Sequence, residues 1–131
     1  MNTKLNQILA EVSAGELLDK ITILEIKKEK IKDKAKLEDI EKELKSLSAT
    51  SKEKIPDKTN IKELINHLKK INMKLWDIEE GKRLAEKKKI FGDEFIKLSR
   101  DVYKSNDERA KIKLKINKIL GSNIKEVKSH Y

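Results

Sequence analysis

Apolar residues recur three and four positions apart through most of this chain, the spacing of one face of an α-helix. The first run is Leu17, Leu18, Ile21, Leu24, Ile31 and Ala35, and it opens behind a well-marked start. Ser13 can accept from the backbone N–H three residues on while Glu16 reaches back, a capping box, with Val12 and Leu17 placed as a hydrophobic staple. The pattern predicts helix one from about Ala14 to Leu47. Its apolar face does not stay still, because Ile26, Leu37, Ile40, Leu44 and Leu47 lie well round the axis from the first set. Either the helix breaks near Asp33 to Lys36 and its end folds back, or the far half meets another partner. A second copy of the chain is the simplest such partner, giving a homodimer through Leu37, Ile40, Leu44 and Leu47.

Residues 48–60 are rich in Ser and Thr and contain Pro56, so they predict a connector. Helix two follows from about Ile61 to Lys88, with Ile61, Leu64, Leu68, Ile71, Leu75 and Ile78 as a heptad seam and Asn60 with Glu63 as a weak cap. Gly81 inside it suggests a close approach by another backbone. Gly92 and Asp93 read as turn and cap of helix three, which continues the spacing through Phe95, Leu98, Val102, Ile112, Ile116 and Ile119 and ends at Gly121. The expected architecture is all-α: one domain over residues 1–131, with three long helices at 14–47, 61–88 and 93–120. They would form an up-down-up antiparallel, coiled-coil-like bundle. A short irregular C-terminal tail would follow, strapped to the bundle by Ile124 and Val127.

Composition narrows the class. Charged residues make up 42% and apolar residues 37%, which suits long amphipathic helices with one buried stripe. There is no cysteine, hence no disulfide and no thiolate metal site. No run approaches the ~20 apolar residues of a membrane span, and no leader pattern stands at the N-terminus, so a soluble, cytoplasmic protein with no membrane partner is expected. The net charge of +9 is concentrated late in the chain. Residues 16–45 balance nine basic against nine acidic side chains, whereas residues 61–90 carry nine against five and residues 91–131 ten against six. Nearly all the cations are Lys, which reads as compositional bias more than as selection for phosphate recognition.

Two features could carry chemistry. The seams have polar positions at Lys28, Ser105 and Arg109, and in an antiparallel arrangement Lys28, Trp76, Asp77, Glu79, Ser105, Asn106 and Arg109 fall near one level, with Glu25 and Asn72 close by. A buried Arg109 needs a partner, and Glu25 or Glu79 could supply it. This layer could bind an anionic ligand through Glu25, Lys28, Trp76, Asp77, Glu79, Asn106 and Arg109, or it could be a structural layer that fixes register. The second feature is a stripe on helix three, Lys97, Arg100, Lys104, Lys111, Lys115 and Lys118, which could follow phosphates or be a solvated face. Asp107 and Glu108 interrupt it, so nucleic-acid binding is not the leading reading. No catalytic constellation, cofactor motif or metal-ligand spacing appears, and the two histidines, His67 and His130, are far apart.

Three stretches are more distinctive: VSAGELLDKITILEIK at 12–27, LWDIEEGKR at 75–83, and FIKLSRDVYKSNDERAKIKLKIN continuing to LGSNIKEVKS over 95–129. Together they resemble an uncharacterised bacterial family of small helical proteins, a domain of unknown function. That resemblance implies a helical protein and carries no activity with it. A looser similarity, to all-helical chorismate mutases, would need more arginine than Arg109 with Lys20 or Lys28 can offer. The expectation is a non-enzymatic helical protein-interaction module, with small-ligand binding in the polar layer as the alternative.

Overall fold

The computed structural model describes residues 5–124 and 127. Within them the protein is all-helical, with four helices: α1 (Ala14–Lys30), α2 (Lys34–Lys54), α3 (Lys62–Lys88) and α4 (Asp93–Leu120). A short 3₁₀ turn, Thr59–Ile61, leads into α3.

The three-helix expectation is corrected at residues 31–33. Helix one is two helices, because Asp33 is a strong N-cap: its carboxylate accepts from Ala35 N at 2.9 Å and Lys36 N at 3.4 Å. Turning back here resolves the drift of the apolar face, since α2 now lies along α1 with the opposite chain direction, Lys20 facing Glu43 at 3.2 Å. The stripe expected at a subunit interface is buried or half-buried within a single chain. Ile40 is enclosed and Leu37, Leu44 and Leu47 are half-covered. The expected connector over 48–60 is also corrected, because α2 continues to Lys54. Its Ser/Thr run stays helical, with Thr50 Oγ1 donating to the Ser46 carbonyl at 3.2 Å, a bond compatible with the helix interior. Pro56 then follows the last turn, and Lys58 Nζ donates to the Ile55 and Ser51 carbonyls at 2.6 and 3.3 Å. A cation there satisfies the Ile55 carbonyl, which the helix end leaves unpaired, and is a second donor to the Ser51 carbonyl, which already accepts from Ile55 N. No side chain caps α3, so the Asn60–Glu63 signal is not used.

The capping box at the start of α1 is half realised. Ser13 Oγ accepts from Glu16 N at 3.1 Å, while the Glu16 carboxylate turns to Lys113 instead of reaching back. Helix α4 runs against both of its long neighbours. Gly15, Glu16 and Asp19 of α1 meet Asn117, Lys113 and Arg109. His67 of α3 meets Glu108 at 2.8 Å, and Gly81 faces Leu98. Gly81 therefore makes room for a leucine side chain, and the close backbone approach is at Gly15. A Cβ there would stand 2.6 Å from the Lys113 carbonyl oxygen. Gly121 ends α4 in the left-handed region at φ 63°. The strap beyond it is polar. Ser122 Oγ accepts from Ala14 N at 3.1 Å and Asn123 donates to Glu11 at 2.6 Å, whereas Ile124 and Val127 are exposed.

The apolar core sits at the end of the bundle where α1 begins, around Leu17, Leu18, Ile55, Ile61, Leu68, Ile71, Ile112 and Ile116. Each fully enclosed Leu or Ile there contributes about 1.5–3 kcal/mol.

Candidate functional site

A second buried seam runs along α1, separate from the leucine stripe. Gly15, Asp19, Thr22 and Ile26 are spaced four, three and four apart, and all four are enclosed. They face α3 and α4, and the polar members set the chemistry. Asp19 is 1% exposed, so its charge needs strong partners. Arg109 donates to it through Nε at 3.0 Å to Oδ1 and through Nη2 to Oδ2, the two-pronged geometry that suits a carboxylate. Asn72 Nδ2 donates to Asp19 Oδ1 and to Thr22 Oγ1, both at 2.8 Å. The Thr22 hydroxyl itself donates to the Asp19 backbone carbonyl at 2.7 Å. Lys113 lies 3.7 Å from Asp19 Oδ2 and donates to Glu16 Oε2 at 2.6 Å. Asn106 Oδ1 accepts from Arg109 Nη1 at 3.3 Å. Two carboxylates of α1 and two cations of α4 thus neutralise one another, with Asn72 of α3 bonded to the same carboxylate as Arg109.

Next to this network, Asn72 and Arg109 form part of the wall of a cleft of about 520 Å³. Ile23 and Ile26 of α1 and Leu75 and Trp76 of α3 supply its apolar sides, and Glu79, Glu80 and Arg83 stand round it. That volume is within the range of ordinary ligand clefts. Of the polar layer read from the sequence, Trp76, Glu79, Asn72 and Arg109 line this cleft, and Asn106 holds Arg109. Ser105 is buried on α4. Glu25, Lys28 and Asp77 do not line it. Lys28 lies about 160° round the axis from Ile26 at ~100° per residue, and it is exposed, as is Asp77. The partner of Arg109 is Asp19, neither Glu25 nor Glu79. Asp19, Thr22, Lys113, Glu80 and Arg83 are absent from the polar layer read from the sequence, and Glu16 is read there only as a cap. The signal for Asp19 and Thr22 is the four-three-four spacing of Gly15, Asp19, Thr22 and Ile26, a seam hidden beside a more apolar one.

The basic row, Lys97, Arg100, Lys104, Lys111, Lys115 and Lys118, is exposed along α4 and does not reach the cleft. His67 is exposed with Glu108, and His130 lies outside the described residues. Among the described residues no group of three His, Asp or Glu side chains could hold a metal ion.

A family model, a family of unknown function (DUF6165), matches residues 8–131, and the chain belongs to that family. No curated protein and no solved structure matches it.

Proposed function

We propose that this DUF6165 chain is a non-enzymatic protein-interaction module whose docking site is the cleft between α1, α3 and α4. The observation that carries the reading is the composition of the cleft: apolar Ile23, Ile26, Leu75 and Trp76, with Glu79, Glu80 and Arg83 along its α3 side. Aromatic and arginine anchors inside a polar rim are the anatomy of binding hot spots. The occupant this suits is a partner segment that inserts an apolar side chain and carries charges of both signs beside it, to meet Arg83 and the two glutamates. A purely anionic small ligand is less well served, because Arg109 already faces Asp19, and Glu79 and Glu80 would oppose it. The Asp19–Arg109–Asn72 network supports the cleft by fixing α3 and α4 against α1, so that Trp76 is presented on a rigid wall.

Selection of displayed peptides against the intact chain tests this. Selected peptides are expected to shift the fluorescence of Trp76, the one tryptophan. They should lose at least about tenfold in affinity against Trp76→Ala, the loss typical of a hot spot. Arg83→Glu should change the charge pattern of the peptides selected. Peptides that bind Trp76→Ala as tightly as the parent would remove the cleft from consideration.

A further inference from the structure

The row of cations on α4 stands on the side of that helix turned away from the cleft. At ~100° per residue, Arg100, Lys104, Lys111 and Lys118 fall within about 40° of one another and roughly opposite Arg109. All four are exposed. The same side of the helix carries three apolar residues in line, Ile96, Tyr103 and Leu114, which are 52%, 54% and 36% exposed. An apolar line on the solvent side of a helix, flanked by Lys and Arg, is the pattern of a helix that lies in the plane of a membrane interface.

Charge and shape point the same way. Counting Lys97 and Lys115, this arc holds six cations against two acids, Asp93 and Asp107. Ile96 and Lys118 are 22 residues apart, about 33 Å along one unbroken helix. Such a row matches an extended, flat layer of negative charge. Nucleic-acid phosphates would meet the cations and leave Ile96, Tyr103 and Leu114 in water. A headgroup layer engages both, with phosphates against the cations and the boundary of the acyl region against the apolar line.

We propose that the outer face of α4 docks on an anionic lipid surface. The attachment is to the surface: among the described residues no helix is long and apolar enough to cross a membrane. Docked in this way, the protein turns its cleft away from the bilayer and keeps it open to a partner.

Cosedimentation of the full chain with vesicles tests the proposal. Binding is expected to phosphatidylcholine vesicles containing about one-third phosphatidylglycerol and not to pure phosphatidylcholine, and it should weaken as salt is raised. Arg100→Gln with Lys104→Gln should weaken it roughly 30-fold. Ile96→Ser with Leu114→Ser should weaken it several-fold while keeping the salt dependence. All four positions are on the surface, so circular dichroism should be unchanged. Trp76→Ala, which disables the proposed docking cleft, should leave vesicle binding intact, so the two readings fail separately. No binding to anionic vesicles at low salt, or binding indifferent to both double substitutions, overturns the proposal. So does tight, salt-sensitive binding of duplex DNA that ignores Ile96→Ser with Leu114→Ser while vesicles are left unbound.

Discussion

Where α1 begins, Ile61, Leu68 and Ile116 have no solvent exposure and Gly15 lies against the Lys113 carbonyl. Where α3 turns into α4, every residue from 86 to 94 is exposed, including Ile90 and Phe91. The first region gathers four chain segments round one core, and Asp19, Thr22 and Asn72 there are held by specific partners. The second is a bare two-helix hairpin, held by contacts such as Gly81 with Leu98 and the edge-on pair Phe91–Phe95, centroids 5.2 Å apart. The same seam spacing therefore does two jobs. At the crowded end it determines stability, and at the bare end it only keeps two helices together, leaving side chains there unconstrained by a core.

Substitutions should separate the two ends. The largest effect is expected for Asp19→Ala, which leaves Arg109 and Lys113 without the carboxylate that both approach. Breaking a buried pair from one side costs about 3–5 kcal/mol, so urea unfolding should show a large loss of stability. Gly15→Ala comes next. The added methyl would overlap the Lys113 backbone, which cannot rotate away, and a loss of about 1–3 kcal/mol is expected from the same measurement. At the bare end the sign reverses. Lys89 closes α3 at φ 57°, a left-handed conformation that glycine adopts without strain. Lys89→Gly should therefore stabilise the protein, by up to about 1 kcal/mol. A loss on Lys89→Gly would show that this turn is held by more than its backbone.

The smallest effect belongs to the rim of the crowded end. The Thr59 hydroxyl, and then its backbone N–H, donate to Asp57 and hold its carboxyl below the ordinary aspartate value. A lowered folded-state value gives stability that is present above the unfolded value and lost as the pH falls through the folded one. Melting temperatures followed downward from neutral pH should show no Asp57 contribution to any change until about pH 4. Asp57→Asn should make the acid limb slightly shallower. A change confined to neutral pH would contradict the assignment.

Local signals in the sequence were read well and long-range ones were not. The bounds of α3 and α4, the Ser13 cap and the Gly121 stop depend on neighbours a few residues apart, and each lies where the pattern placed it. Asp33 was visible as one of two readings, but choosing between them required knowing that α1 could accept α2. Residues 48–54 read as connector because Ser, Thr and Pro56 argue against a continuous helix, whereas the Thr50 hydroxyl bonds back to the Ser46 carbonyl and α2 runs on to Lys54. The polar network was hardest. Asp19 reads as an ordinary acid on a charged helix, and its partner Arg109 is 90 residues away. Arg109 stands out as an interruption of an apolar seam and Trp76 by falling at the same level, whereas Asp19 and Thr22 form a seam of their own.

The elbow at Ile31–Asp33 has one further consequence. Helix α2 packs mainly along α1, with Leu47 and its cap Ile55 reaching the core, and the Asp19 network joins α1, α3 and α4 without it. Only Ile40 and Ser51 are enclosed over its whole length. It is therefore the segment whose release leaves the polar network and the α3–α4 pairing in place. Amide hydrogen exchange should report this as a hierarchy, with the α2 amides opening together at a free energy below that of global unfolding, and those of Ile116 and Asn117 opening last.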